Sequence, residues 1–156
     1  MFKTICESNK KAVSPGTLGI LTNPEHPIFN YFPTEMHTNW QWFPIIKESH
    51  PAILDNLGKE YRPIVQVIDN IERNHKLGLI FGFQIGKGKL LICMSDLEKT
   101  TKYPEGRAFY ESVLRYMHSD KFCPNTHLSD INALKTMLQQ KLKNKNMDKL
   151  NNISQY

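Results

Sequence analysis

The segment Leu90-Leu91-Ile92-Cys93-Met94 is apolar at five consecutive positions and stops at Ser95-Asp96. A strand turns successive side chains to opposite faces, so unbroken apolarity means that both faces are covered. Pro63-Ile64-Val65-Gln66-Val67-Ile68 repeats the pattern with β-branched residues and is closed by Asp69-Asn70. Burial on both faces is what a parallel sheet between helical layers requires, so these segments predict a three-layer α/β domain with a mostly parallel sheet. Leu77 to Phe83 is expected to pair with the later strand through Ile85-Gly86-Lys87-Gly88, a glycine-rich hairpin turn.

Helical spacing marks the flanks. Phe2 and Ile5-Cys6 fall on one face of a short helix that Ser14-Pro15-Gly16 ends, and Thr17 to Leu21 is a brief apolar run. Pro104-Glu105 should open a helix with Phe109, Val113, Tyr116 and Met117 along its apolar face. A second helix is expected from Ser129 as N-cap, with Ile131, Leu134, Leu138 and Leu142 on one stripe. The division is an α/β unit over residues 1–122, and a helix with a Lys- and Asn-rich tail over residues 123–156. Residues 28–46 are aromatic and irregular, the composition of a packed lid or an exposed platform.

The formal charge of +5 raises the question of nucleic acid. Residues 1–119 hold 14 Lys and Arg against 12 Asp and Glu, and residues 120–156 hold six Lys against three Asp. The excess is largely in Lys141-Leu142-Lys143-Asn144-Lys145, which has no Arg to fork onto phosphate, so it reads as a solvated helix end and no nucleic-acid partner is expected. No stretch approaches the ~20 apolar residues of a membrane span. Residues 1–10 show no basic segment followed by a long apolar run, so no secretory signal is legible. Cys6, Cys93 and Cys123 are odd in number and form no CxxC pair, which argues against a disulfide framework or a zinc knuckle. Cys93, inside its apolar run, reads as a buried small hydrophobe.

Neither a phosphate-binding loop nor a GxSxG elbow occurs, and the six histidines form no HxH or HExxH pattern. No cofactor or metal is expected. His26 and His37 are suited to donate hydrogen bonds that fix the aromatic segment. Asp69 and Asp96 each stand where an expected strand ends, the position at which open α/β sheets collect ligands; capping of the following turn is the plainer role. Asn39-Trp40-Gln41-Trp42 combines indole faces with amides, which suits contact with a sugar or a partner, and core packing is again the plainer role. Candidate contact residues are thus His37, Asn39, Trp40, Trp42, Asp69 and Asp96.

Several segments together resemble the C-terminal region of bacterial β-galactosidase-like enzymes of glycoside hydrolase family 2. They are Gly19 to Pro27, Phe32-Pro33-Thr34-Glu35 with His37-Thr38-Asn39-Trp40-Gln41-Trp42, Arg62 to Asp69, and Gly86 to Cys93. The resemblance spans about residues 1–122. It implies an accessory α/β domain, flavodoxin-like or glutamine-amidotransferase-like, beside the other domains of a larger glycosidase. It also implies interdomain packing or self-association, weak carbohydrate contact, and a periplasmic or secreted parent. No catalytic residue carries over, because the family's two carboxyl groups sit ~5–5.5 Å apart in a barrel of ~250 residues. A doubly wound domain begins with a strand, so this chain is expected to be incomplete, lacking its first. The rival functions are a small hydrolase or esterase using Asp69, Asp96 and His37, and a protein-interaction module presenting Trp40 and Trp42.

Overall fold

The computed structural model of the protein describes residues 19–70, 73–128 and 131–139. The expected helix around Phe2 to Cys6, the Ser129 cap and the Lys-rich tail lie outside the described residues. Five strands form one sheet: β1 (Ile20–Thr22), β2 (Ala52–Ile53), β3 (Val65–Ile68), β4 (Lys76–Ile85) and β5 (Gly88–Cys93). β4 is the central strand. β3 and then β1 lie along one edge, while β2 and β5 follow one another along the other, opposite Leu77-Gly78 and Ile80 to Ile85 respectively.

Every pairing between these strands is antiparallel. This corrects the expected mostly parallel, flavodoxin-like or glutamine-amidotransferase-like sheet. The connections decide it: a parallel crossover needs roughly a dozen residues or more, and only residues 69–75 separate β3 from β4. β4 and β5 are joined by the two-residue turn Gly86-Lys87, in which Gly86 takes φ 56°. A positive φ at the first central position alone is the pattern of a type II′ turn, whose twist suits a hairpin.

The sheet has a core on each face, but the two runs that suggested it do not supply the burial: on β3 Val65 and Val67 are buried while Ile68 is exposed, Leu90 to Cys93 of β5 are only half-buried, and β4 is the strand buried on both sides. One core gathers Ile20, Val65, Val67, Leu77, Leu79 and Ile80 with the aromatic segment; the other gathers Ala52, Leu54, Phe81, Phe83, Leu128, Leu134 and Met137. β4 serves both cores through a bulge. Val65 faces Ile80 but Gln66 faces Gly78, so Leu79 is an extra residue on β4. Leu79 and Ile80 therefore both enter the first core, and the alternation beyond them is inverted, which sends Phe81 and Phe83 to the second.

Four helices complete the described chain: α1 (Phe43–Lys47), α2 (Leu97–Thr100), α3 (Pro104–Met117) and α4 (Ile131–Leu138). Pro104 opens α3 at a position where no N–H is needed. Phe109, Val113 and Tyr116 are buried at helical spacing, whereas Met117 is exposed and Gly106 and Ser112 complete the buried face. Among the described side chains of α4, Leu134 and Met137 are buried and Leu138 faces solvent. Sequence spacing misplaced an edge position on each stripe, Met117 on α3 and Leu138 on α4, because 100° per residue leaves boundary positions undecided until the facing surface is known.

The turn from α2 into α3 is tight. A Cβ on Gly106 would overlap the carbonyl of the fully buried Thr100. Gly106→Ala is therefore expected to destabilise the domain by about 1–3 kcal/mol, the usual range for overpacking, read as a lower urea midpoint at unchanged slope. An unchanged midpoint would show that the turn has slack.

Candidate functional site

The aromatic segment is a packed lid with two rings left outside it. Phe29, Phe32, Trp42 and Phe109 meet edge to face, with centroids 5.1–6.0 Å apart along the chain of contacts. Each such pair adds ~0.5–1.5 kcal/mol beyond its buried area. Trp42 is fully buried, and its indole N–H donates to Thr34 Oγ at 2.7 Å. Ser112 of α3 ties the lid down: its hydroxyl donates to the carbonyl of Ile28 and accepts the N–H of Tyr31. His26 caps the turn Pro27–Phe29 by accepting the N–H of Ile28 at Nδ1. It fixes the segment as an acceptor, not as the donor expected.

Trp42 therefore has no access to a surface ligand, and Trp40 stands apart from it. The short 3-10 turn Trp40–Trp42 points one indole inward and leaves the other 82% exposed, resting at 5.6 Å on the Phe43 ring. Met36 and His37 are exposed nearby in sequence; His37 Nδ1 donates to the Thr38 carbonyl, and its Nε2 lies 3.7 Å from Glu35. Asn39 precedes the turn with its Oδ1 buried and lacking a hydrogen-bond partner.

The two aspartates have separate duties. Asp96 is an exposed N-cap of α2, accepting the N–H of Lys99 and pairing with its ammonium at 2.7 Å. These bonds hold its carboxyl below the usual value. Asp69 is buried at the end of β3. It accepts from Arg73 Nε and Nη2, from its neighbour's N–H in Asn70 and from the N–H of His75. Asp55 beside it accepts the N–H of Lys76 and the Nδ1–H of His75 at 2.8 Å. Together these carboxylates shape the β3–β4 connection, where Asn74 takes φ 49°. His37, Asp69 and Asp96 are not gathered in any described cleft.

A cleft of about 300 Å³ lies elsewhere, where the loop before β3 meets the end of α3. Tyr61, Arg62, Pro63, Ile64, Tyr116 and Phe122 form its walls, and Asn23, His26, Gly82, Cys123, Pro124, Asn125 and Thr126 complete it. Tyr61 is held by stacking on Phe83 at 5.6 Å and by donation of its hydroxyl to Gly82. Tyr116 is wedged between His26 and Phe122. Burial raises both phenols above their ordinary values; for Tyr116 the nearby Cys123 adds to this. Burial also lowers His26, so its ring is neutral at pH 7. With Nδ1 committed to Ile28, the ring proton sits on Nε2, and His26 cannot accept the Cys123 proton as a general base. The arrangement can bind and orient a ligand; it has no base-activated nucleophile. Sequence reading missed this cleft, and Pro63 and Pro124 in its rim loops were the only local signal.

Among the described residues no group of three or more His, Cys, Asp or Glu could hold a metal ion. No described helix is long and apolar enough to cross a membrane.

Two measurements check these assignments. Asp69→Ala should cost about 3–5 kcal/mol, because it leaves the Arg73 guanidinium buried without its partner, whereas Asp96→Ala should shift the denaturation midpoint far less; equal losses would contradict this division. Burial pushes the Cys93 thiol up and Cys123 is exposed, so mass mapping after brief iodoacetamide treatment at neutral pH should find Cys123 alkylated well before Cys93. Faster labelling at Cys93 would mean that β5 opens.

Comparison with curated proteins gives no match. The family model of a domain of unknown function, DUF8487, matches residues 1–139, a span that takes in the aromatic lid, the sheet and the cleft, and the chain belongs to that family.

Proposed function

We propose that this domain is a non-catalytic accessory domain of a β-galactosidase-like glycoside hydrolase, acting in interdomain packing or weak carbohydrate contact. The segments that resemble glycosidase C-terminal regions support the reading, and Trp40 carries it. An indole 82% exposed on a turn whose next-but-one residue is locked into the core is a rigid aromatic platform. It costs little entropy to dock against the apolar face of a sugar or against a neighbouring domain.

Asp69, Asp96 and His37 were the residues on which a hydrolase rested. Each is engaged with separate partners, in a buried ion pair, a helix cap and an exposed contact with Glu35. A protein-interaction module would use the same Trp40 surface.

The chain contains two tryptophans, and Trp42 is shielded from solvent. Intrinsic fluorescence therefore reports on Trp40 above a constant background. Titration with galactosides, glucosides and their oligomers is expected to give a saturable change at millimolar sugar that is lost in Trp40→Phe, while the fold persists by circular dichroism. A flat titration removes carbohydrate contact from the proposal and leaves interdomain packing. Hydrolysis of nitrophenyl glycosides by the purified chain, abolished by Asp96→Ala, would replace the proposal with the hydrolase.

A further inference from the structure

We propose that the cleft between the loop before β3 and the end of α3 binds a small organic anion, a carboxylate or phosphate group carried on an aromatic body. The inference is independent of Trp40 and of the glycosidase reading. It begins with what the lining lacks: of the thirteen described residues around the cleft none is Asp or Glu. Arg62 is the one permanently charged member. Both hydrogen bonds of its guanidinium come from Nη1, to the carbonyls of Lys59 and Tyr61. Those bonds orient the group without neutralising it, and Nη2 and Nε remain for a ligand. A guanidinium presents paired N–H donors that match a carboxylate or a phosphate.

The remaining polar groups have the same bias. His26 is neutral and keeps an N–H on Nε2, and the Tyr116 hydroxyl stays protonated through the ordinary pH range. Residues able to donate therefore line a cavity that has no carboxylate among its described residues. The walls supply the second half of the chemistry. Tyr61, Pro63, Ile64, Tyr116, Phe122 and Pro124 are flat or apolar, and the tyrosines are already fixed by Phe83, Phe122 and His26. A cleft of about 300 Å³ is at the small end of ligand sites, which suits one ring bearing one charged group.

Isothermal titration of the whole chain with phenylacetate, phenyl phosphate, benzyl alcohol and inorganic phosphate separates the contributions. At least one of the two aryl anions is expected to saturate at millimolar concentration and to bind roughly ten-fold or more tightly than both the neutral alcohol and free phosphate, the scale of one charge-assisted bond. Which aryl anion binds better names the head group. Arg62→Gln should lose about that factor for the anion and none for the alcohol. Should this variant fail to fold, raising the salt with wild-type protein must weaken the anion selectively. Equal affinity for benzyl alcohol, equal affinity for inorganic phosphate, or no saturation by either aryl anion would overturn the proposal.

Discussion

The extra residue in β4 is the constraint on which the rest of the structure depends. A regular strand of ten residues would send the same alternate set of side chains to one face throughout, and Leu77, Leu79, Phe81 and Phe83 would crowd together. With Leu79 inserted opposite the Val65-Gln66 step, the strand feeds its aliphatic half into one core and its aromatic half into the other. The aliphatic half receives the lid and α3. The aromatic half receives α4, Leu128 and the Tyr61 ring. One strand thus contributes to both cores.

The lid illustrates how an irregular segment is made rigid without regular secondary structure. Its backbone is committed through side chains: Ser112 bonds two positions of it, His26 caps its first turn, and Trp42 is held by Thr34 and three phenylalanine rings. Once Trp42 is fixed, the position of Trp40 follows from a single turn of 3-10 helix. The exposure of one indole is a consequence of the burial of the other. The buried Asp69–Arg73 pair does similar work at the opposite end of β3, where the connection to β4 turns through Asn74.

Strand positions were legible to within two residues for β3 and β5, because β-branched and continuous apolar runs have few other uses. The hairpin between β4 and β5 was legible from Gly86, and the start of α3 from Pro104. Strand direction was misjudged, since unbroken apolarity reports covered faces and carries no information on orientation. The length of the β3–β4 connection held that information. The capping roles considered for the aspartates describe Asp96 well, whereas the Arg73 partner of Asp69 depends on a loop shape that spacing does not reveal. The cleft was illegible for a different reason: Asn23, Tyr61, Tyr116 and Asn125 come from four separate segments and share no motif.

Composition and pattern by themselves determined where β3 and β5 run, that the chain turns at Gly86, and that it lacks the local motifs of phosphate loops and nucleophile elbows. These are properties of neighbouring residues, and short-range sterics and hydrophobicity act on neighbours. Only the tertiary structure decided that the sheet is antiparallel, that Trp40 and not Trp42 meets solvent, and that an arginine with no acidic partner among the described residues lines a cleft of tyrosines. Each of those depends on which distant segment arrives at a given face, and that is settled by the summed packing of the whole chain.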